Sequence, residues 1–169
     1  MKYPIGIQSF DQIIEDGYVY IDKTDLVYQL THEGKIYFLS RPRRFGKSLL
    51  VSTLEHYFLG HKELFKGLKI DQLEKDWNVY PVFHVDFNGS NFTQAGVLEE
   101  RLEDYVSDWE TRYGLTSEAD RLDVGGRFIK VLRAAHEQTG RRAVVLIDEY
   151  DKPILDVLDV DTGLEDRHR

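Results

Sequence analysis

Apolar residues recur along the chain with two spacings, and the switches between them predict alternating helices and strands. Tyr18-Val19-Tyr20-Ile21 reads as a short extended segment. Asp22 or Thr24 then caps a predicted helix that runs to His32-Glu33, with Leu26 and Leu30 four apart and Gly34 as its stop. Lys35-Ile36-Tyr37-Phe38-Leu39 has the continuous apolar character of a strand, and Ser48 to Leu59 returns to helical spacing with Leu50, Leu54, Tyr57 and Phe58 inward. His61 to Asp76 reads as short helical turns that pack Leu64, Phe65, Leu68, Ile70 and Leu73 back. Tyr80 to Phe87 is the next predicted strand, ended by Asn88-Gly89.

Two longer helical stretches follow. Thr93 to Tyr113 places Val97, Leu98, Leu102, Tyr105, Val106 and Trp109 at helical spacing, and its charged remainder reads as a solvated face. Thr116 and Ser117 are candidate N-caps for the second stretch, which Gly125-Gly126 is expected to break before Phe128, Leu132 and Ala135 resume the stripe; Gly140 ends it. Ala143-Val144-Val145-Leu146-Ile147 is then uninterrupted, apolar and β-branched, the pattern of a strand buried on both faces of a parallel sheet. These elements predict one α/β domain over residues 1–155 and a polar, disordered tail over 156–169.

The candidate chemistry sits beside two of the predicted strands. Arg41-Pro42-Arg43-Arg44-Phe45-Gly46-Lys47-Ser48 follows one strand and opens a helix, the order in which backbone N–H groups and a helix dipole cradle a phosphate. In the pattern G-x-x-x-x-G-K-[ST], lysine reaches the β- and γ-phosphates and the hydroxyl ligates Mg²⁺; here Arg41 replaces the first glycine. The nucleotide-binding set is therefore Arg43, Arg44, Phe45, Gly46, Lys47, Ser48 and Leu49, the plain alternative being a basic turn that starts an ordinary helix. The second strand ends in Asp148-Glu149, where open α/β sheets hold their ligands. Asp148, with Ser48, is the candidate metal ligand; Glu149 would polarise the attacking water and, with Lys47, forms the catalytic set. Two solvated acids opening a loop are the alternative.

Together these stretches resemble the predicted AAA-ATPase-like proteins of bacteria, which often carry a C-terminal nuclease-like domain of the PD-(D/E)XK type. The resemblance is carried by Tyr3-Pro4-Ile5-Gly6-Ile7-Gln8-Ser9-Phe10, Tyr18-Val19-Tyr20-Ile21-Asp22-Lys23-Thr24, Phe38 to Ser48, and Val145-Leu146-Ile147-Asp148-Glu149-Tyr150-Asp151-Lys152-Pro153. It implies a P-loop NTPase of three αβα layers with a mostly parallel central sheet, ATP and Mg²⁺ as ligands, and hydrolysis in the intact family form. The Arg-Pro-Arg-Arg-Phe-Gly-Lys-Ser form is that family's usual phosphate loop. It also implies the strand order Tyr80–Phe87, Ala143–Ile147, Lys35–Leu39, with a sensor strand that would follow the Walker B strand but is missing from this chain. Lys35–Leu39 is then an open edge, and self-association or aggregation is expected.

Composition narrows the rest. The chain has 169 residues, 41% of them hydrophobic, enough for one cored domain. Zero cysteines exclude a disulfide framework and a cysteine-held metal and suit a cytoplasmic location. No apolar leader or membrane-length run is present. A net charge of −8 disfavours a protein that coats nucleic acid, although Arg41, Arg43, Arg44 and Lys47 form a local basic site. A non-hydrolysing nucleotide-binding module and a nucleic-acid adaptor using those arginines are the competing functions. Asp86 either joins the Asp148 edge or caps the Asn88-Gly89 turn. Tyr18, Tyr20 and Lys23 either approach the base or pack as core. His56 and His61 read as structural, and Glu33-Gly34-Lys35 lies at the wrong kind of turn for a nuclease.

Overall fold

Phe10 sits at the centre of the first half of the molecule, fully buried against Phe65 (ring centroids 4.7 Å) and Tyr20 (5.3 Å). The structure is a computed structural model that describes residues 1–40, 42, 45–116 and 122–158. Among these, the chain divides after Val82 into two compact units.

The first unit is helical: α1 (Phe10–Glu15), α2 (Thr24–Glu33), α3 (Lys47–Phe58), a 3₁₀ turn (Lys62–Phe65) and α4 (Lys69–Leu73). Its core gathers Phe10, Val27, Tyr57, Leu64, Phe65 and Ile70. α3 is tied to α1 by the Phe10 N–H, which donates to Ser52 Oγ at 2.9 Å. Asp22 and Thr24 join α2 to α4: Asp22 accepts from the Thr24 N–H (2.9 Å) and the Lys69 N–H (2.8 Å), and Thr24 Oγ1 accepts from the Ile70 N–H (3.1 Å). The N-cap of α2 is Lys23, not the expected Asp22 or Thr24, and its side chain makes no capping bond; Asp22, one residue earlier, instead accepts from the first N–H of α2 and of α4. On α2 the inward place belongs to Val27, while Leu26 is exposed. Leu73 is exposed as well. Tyr57 donates to the buried Glu74. Burial and that bond push the Tyr57 hydroxyl up. Burial opposes ionisation of Glu74, yet hydrogen bonds from Tyr57 and from the N–H groups of Asp76 and Lys75 hold its carboxyl below the usual range.

Lys35–Leu39 is not a strand. It opens in a bend and belongs to no ladder, with Ile36 94% and Phe38 71% exposed. An apolar run becomes a strand only when another strand supplies a ladder, and the described sheet pairs only residues 82–86 with 144–148.

The second unit contains β1 (Val82–Asp86, crossing the divide), α5 (Val97–Arg112), α6 (Val124–Thr139), β2 (Val144–Asp148) and α7 (Lys152–Leu158). β1 and β2 form a two-stranded parallel sheet, and the α5–α6 pair covers it. The pairing of Tyr80–Phe87 with Ala143–Ile147 is as expected, but the described sheet has no third strand. Phe83, Phe92, Val131 and Ala135 are fully buried in its core with Trp109 and Val106. Each such Phe contributes about 3 kcal/mol through burial. β2 is covered on one face only: Val145 (41%) and Ile147 (52%) are exposed, which corrects the expectation of burial on both.

The second long helix starts at Val124, capped by Asp123, whose Oδ1 accepts from the Gly126 N–H at 2.7 Å. Gly125-Gly126 therefore lies in its first turn and breaks nothing; Thr116 caps no helix, and Ser117 lies outside the described residues. The polar face expected of α5 hides a buried ion pair. Arg127 of α6, 1% exposed, donates from Nε (3.0 Å) and Nη2 (2.8 Å) to the two oxygens of Glu110, and also to Glu103 and Ser107. Such a fork fixes the register of two helices, because removing either partner strands a buried charge. Asp156 to Leu158, expected to open the tail, form the last turn of α7 with Val157 buried; 159–169 lies outside the described residues.

The Asp22 junction makes a prediction. Burial raises the Asp22 pKa, but hydrogen bonds from Thr24 and the Lys69 N–H outweigh it, so the folded value lies below 3.8. A depressed carboxylate stabilises fully above its unfolded value and loses that contribution as pH falls through the folded one. Asp22→Asn is expected to lower the melting temperature near neutral pH, with the gap to the parent closing below pH 3.8. Thermal melts across that range check this.

Candidate functional site

Gly46 shapes the phosphate corner. Its backbone is left-handed (φ 74°, ψ 24°) at the N-cap of α3, a conformation that disfavours side chains by about 1–2 kcal/mol. The Gly46 carbonyl accepts the first helical bond, from the Leu50 N–H at 3.1 Å. The N–H groups of Lys47, Ser48 and Leu49 thus precede the hydrogen-bond ladder, as at every helix start. No side chain caps them, and among the described residues none has a backbone partner. Lys47 and Ser48 are half-buried, and neither side chain makes a hydrogen bond or ion pair to a described residue. Phe45 is 64% exposed. Phe45, Gly46, Lys47, Ser48 and Leu49 are therefore brought together at one helix start. Arg41, Arg43 and Arg44 lie outside the described residues.

The acidic end belongs to the second unit. Asp148 closes β2, is 7% exposed, and accepts from the Glu149 N–H at 2.9 Å. Its backbone oxygen accepts from the Phe87 N–H (3.3 Å), so the sheet itself holds the residue. Glu149 is left-handed (φ 51°), unusual for a residue with a side chain, and its carbonyl accepts from the Lys152 N–H (3.0 Å) to close a turn. Within that turn Asp151 has a buried Oδ1 with no hydrogen-bond partner among the described residues. In the sequence, only its place three residues past Asp148 sets this residue apart. Among the described residues no group of three or more His, Asp or Glu side chains converges as a metal cage. Mg²⁺ does not require one, since it keeps several waters and uses one or two carboxylates plus phosphates. The buried carboxylate of Asp148 and the orphaned oxygen of Asp151 fit such an ion.

The other candidates resolve as structure. Asp86 Oδ1 accepts from the Asn88 N–H at 2.8 Å, capping the turn. Tyr20 packs on Phe10, and burial pushes its phenol up; Lys2 lies 4.0 Å over the Tyr18 ring. His56 and His61 share an Nδ1–Nδ1 hydrogen bond of 2.8 Å.

One unit thus opens a helix on a left-handed glycine, and the other ends a strand on a buried carboxylate. The chain belongs to the AAA-ATPase-like family, described as predicted AAA-ATPase, whose model matches residues 4–168. It is 45% identical over 159 residues to "Uncharacterized protein in vnfD 5'region" of Azotobacter chroococcum mcd 1, an alignment that covers 93% of this chain. The chain spans 30% of that relative's length. No solved structure matches. Among the described residues no helix is long and apolar enough to cross a membrane.

Left-handed backbone at Glu149 carries a cost of about 1–2 kcal/mol, partly offset in a glycine by chain entropy. Glu149→Gly is expected to raise the free energy of unfolding by about 0.5–1 kcal/mol, measured by urea denaturation. A loss of stability would show that the Glu149 side chain supports the fold.

Proposed function

We propose that this chain is the nucleotide-binding part of an ATPase, which binds ATP with Mg²⁺ and, in the intact protein, hydrolyses it. The observation that carries the proposal is the start of α3: three backbone N–H groups and a lysine without described partners behind a left-handed glycine. Such a corner suits a polyphosphate, because unpaired donors and the helix dipole both favour negative charge. In this reading the full P-loop fold of three αβα layers forms around the described two-stranded sheet.

The roles follow from charge, since phosphoryl transfer is catalysed mainly by positioning and electrostatic stabilisation. Gly46 and the N–H groups of Arg44 to Ser48 hold the β-phosphate, with Arg43, Phe45 and Leu49 beside them. Lys47 neutralises the β/γ oxygens. Ser48 and Asp148 would hold Mg²⁺, which when bound screens the charge of the phosphates. Glu149 orients the attacking water and accepts its proton as the γ-phosphate leaves. ATP is favoured over GTP because the chain contains no Asn-Lys-x-Asp signature. A cytoplasmic location agrees with the absence of cysteine. Self-association and nucleic-acid contact by the arginines stay expectations of the sequence alone.

Two substitutions separate binding from turnover. Lys47→Ala is expected to abolish ATP binding in calorimetric titration while changing the free energy of unfolding by no more than about 0.5 kcal/mol, as for other surface changes. Equal affinity in variant and parent would overturn the phosphate-corner assignment. Glu149→Gln is expected to bind ATP as the parent does and to lose whatever phosphate release the parent shows. Undiminished release would remove Glu149 from the mechanism and leave the site a binding module.

A further inference from the structure

The turn that follows β2 contains an unpaid electrostatic debt. Asp151 Oδ1 is buried and has no hydrogen-bond partner. A buried acceptor left unsatisfied is costly, and a carboxylate more so, which makes each such atom in a folded protein a sign that a water, an ion or another donor belongs there. The chain itself supplies none among the described residues. The neighbouring cation is committed elsewhere: Lys152 Nζ lies 2.7 and 3.0 Å from the two carboxylate oxygens of Asp156, one turn along α7, and 5.8 Å over the Phe92 ring. Two backbone N–H groups of the turn are also in use, that of Glu149 by Asp148 Oδ1 and that of Lys152 by the Glu149 carbonyl. Asp151 does anchor α7, but through its backbone carbonyl, which accepts from the N–H groups of Ile154 (3.2 Å) and Leu155 (2.9 Å). Its carboxylate is thus spared from capping. Asp148, three residues earlier, is more than nine-tenths buried and faces no described lysine or arginine within ion-pair distance.

We infer that Asp151 is a positioning residue for the metal, accepting a hydrogen bond from a water in the hydration shell of the Mg²⁺ that accompanies the nucleotide; this rests on the nucleotide-binding reading above. The chemistry suits the place. Mg²⁺ dehydrates reluctantly and is held largely through its waters, so an acceptor three residues after Asp148 would orient the ion through such a water without touching it. The same oxygen is a poor structural element, because without the hydrated ion it is an acceptor with no donor. A role in metal positioning and a role in folding therefore predict opposite behaviour when the charge is removed.

The test compares the full chain with Asp151→Asn, which keeps the shape and removes the charge. ATP affinity is measured by calorimetry once with Mg²⁺ and once with EDTA, and the melting temperature is measured without nucleotide. The expected result is that the gain in affinity conferred by Mg²⁺ falls about tenfold in the variant. Affinity in EDTA should stay at the parent value, and the nucleotide-free melting temperature should be unchanged or higher. A variant that keeps the parent's Mg²⁺ dependence overturns this inference alone, as does one whose nucleotide-free form melts lower, since that marks a structural carboxylate. Absence of ATP binding by the parent itself overturns the nucleotide reading and this inference together.

Discussion

A helix start that is to receive a phosphate must leave its first N–H groups unpaired, so the helix has to be held from its other end. α3 is built this way. Its opening residues, Lys47 to Leu49, have no cap, and Gly46 before them is held left-handed. The last two turns bury Thr53 and Tyr57, Ser52 receives the Phe10 N–H, and Tyr57 donates to Glu74. Thr53 Oγ1 also donates to the Leu49 carbonyl at 2.7 Å, which satisfies a buried hydroxyl. The aromatic core around Phe10 and Phe65 therefore serves the corner indirectly: it replaces the stability that a capping side chain would have contributed, about 1 kcal/mol.

The end of β2 shows the same division between support and chemistry. The strand is fixed through its ladder with β1 and through the packing of Phe83, Val85 and Phe87 against α5 and α6. Those helices keep their register through Arg127 and Glu110. What the scaffold holds out is a buried aspartate, a glutamate in a costly backbone conformation and a carboxylate oxygen without a donor. Local rules are broken at three of four consecutive residues, and such concentration of unfavourable features is characteristic of functional rather than structural positions.

The helices were legible wherever the apolar stripe is long. Val97 to Trp109 on α5 and Phe128 to Ala135 on α6 repeat at helical spacing and pack as that spacing requires. Gly125-Gly126 was misread because glycine breaks a helix interior, whereas in a first turn, with Asp123 accepting from Gly126, it costs little. The Arg127–Glu110 pair was illegible, since partners 17 residues apart on two helices share no local pattern. Lys35–Leu39 failed as a strand for a related reason: apolar content is local, but the ladder that makes a strand comes from elsewhere. Of the site, the short motifs placed Gly46, Lys47 and Ser48 at the start of the expected helix, without the strand expected before them, and Asp148 and Glu149 at the end of the expected strand. The orphaned oxygen of Asp151 needed coordinates, because burial and the commitment of Lys152 to Asp156 cannot be read from spacing.

In the proposed function, the N–H groups that open α3, which have no partner among the described residues, receive a phosphate. Amide hydrogen exchange at Lys47, Ser48 and Leu49, followed by NMR with and without saturating Mg·ATP, tests it residue by residue. Marked slowing at these three amides is expected on nucleotide addition, while amides in the middle of α5 exchange as before. Unchanged exchange at Lys47 to Leu49 in a sample shown by calorimetry to have bound ATP would place the nucleotide elsewhere and contradict the account.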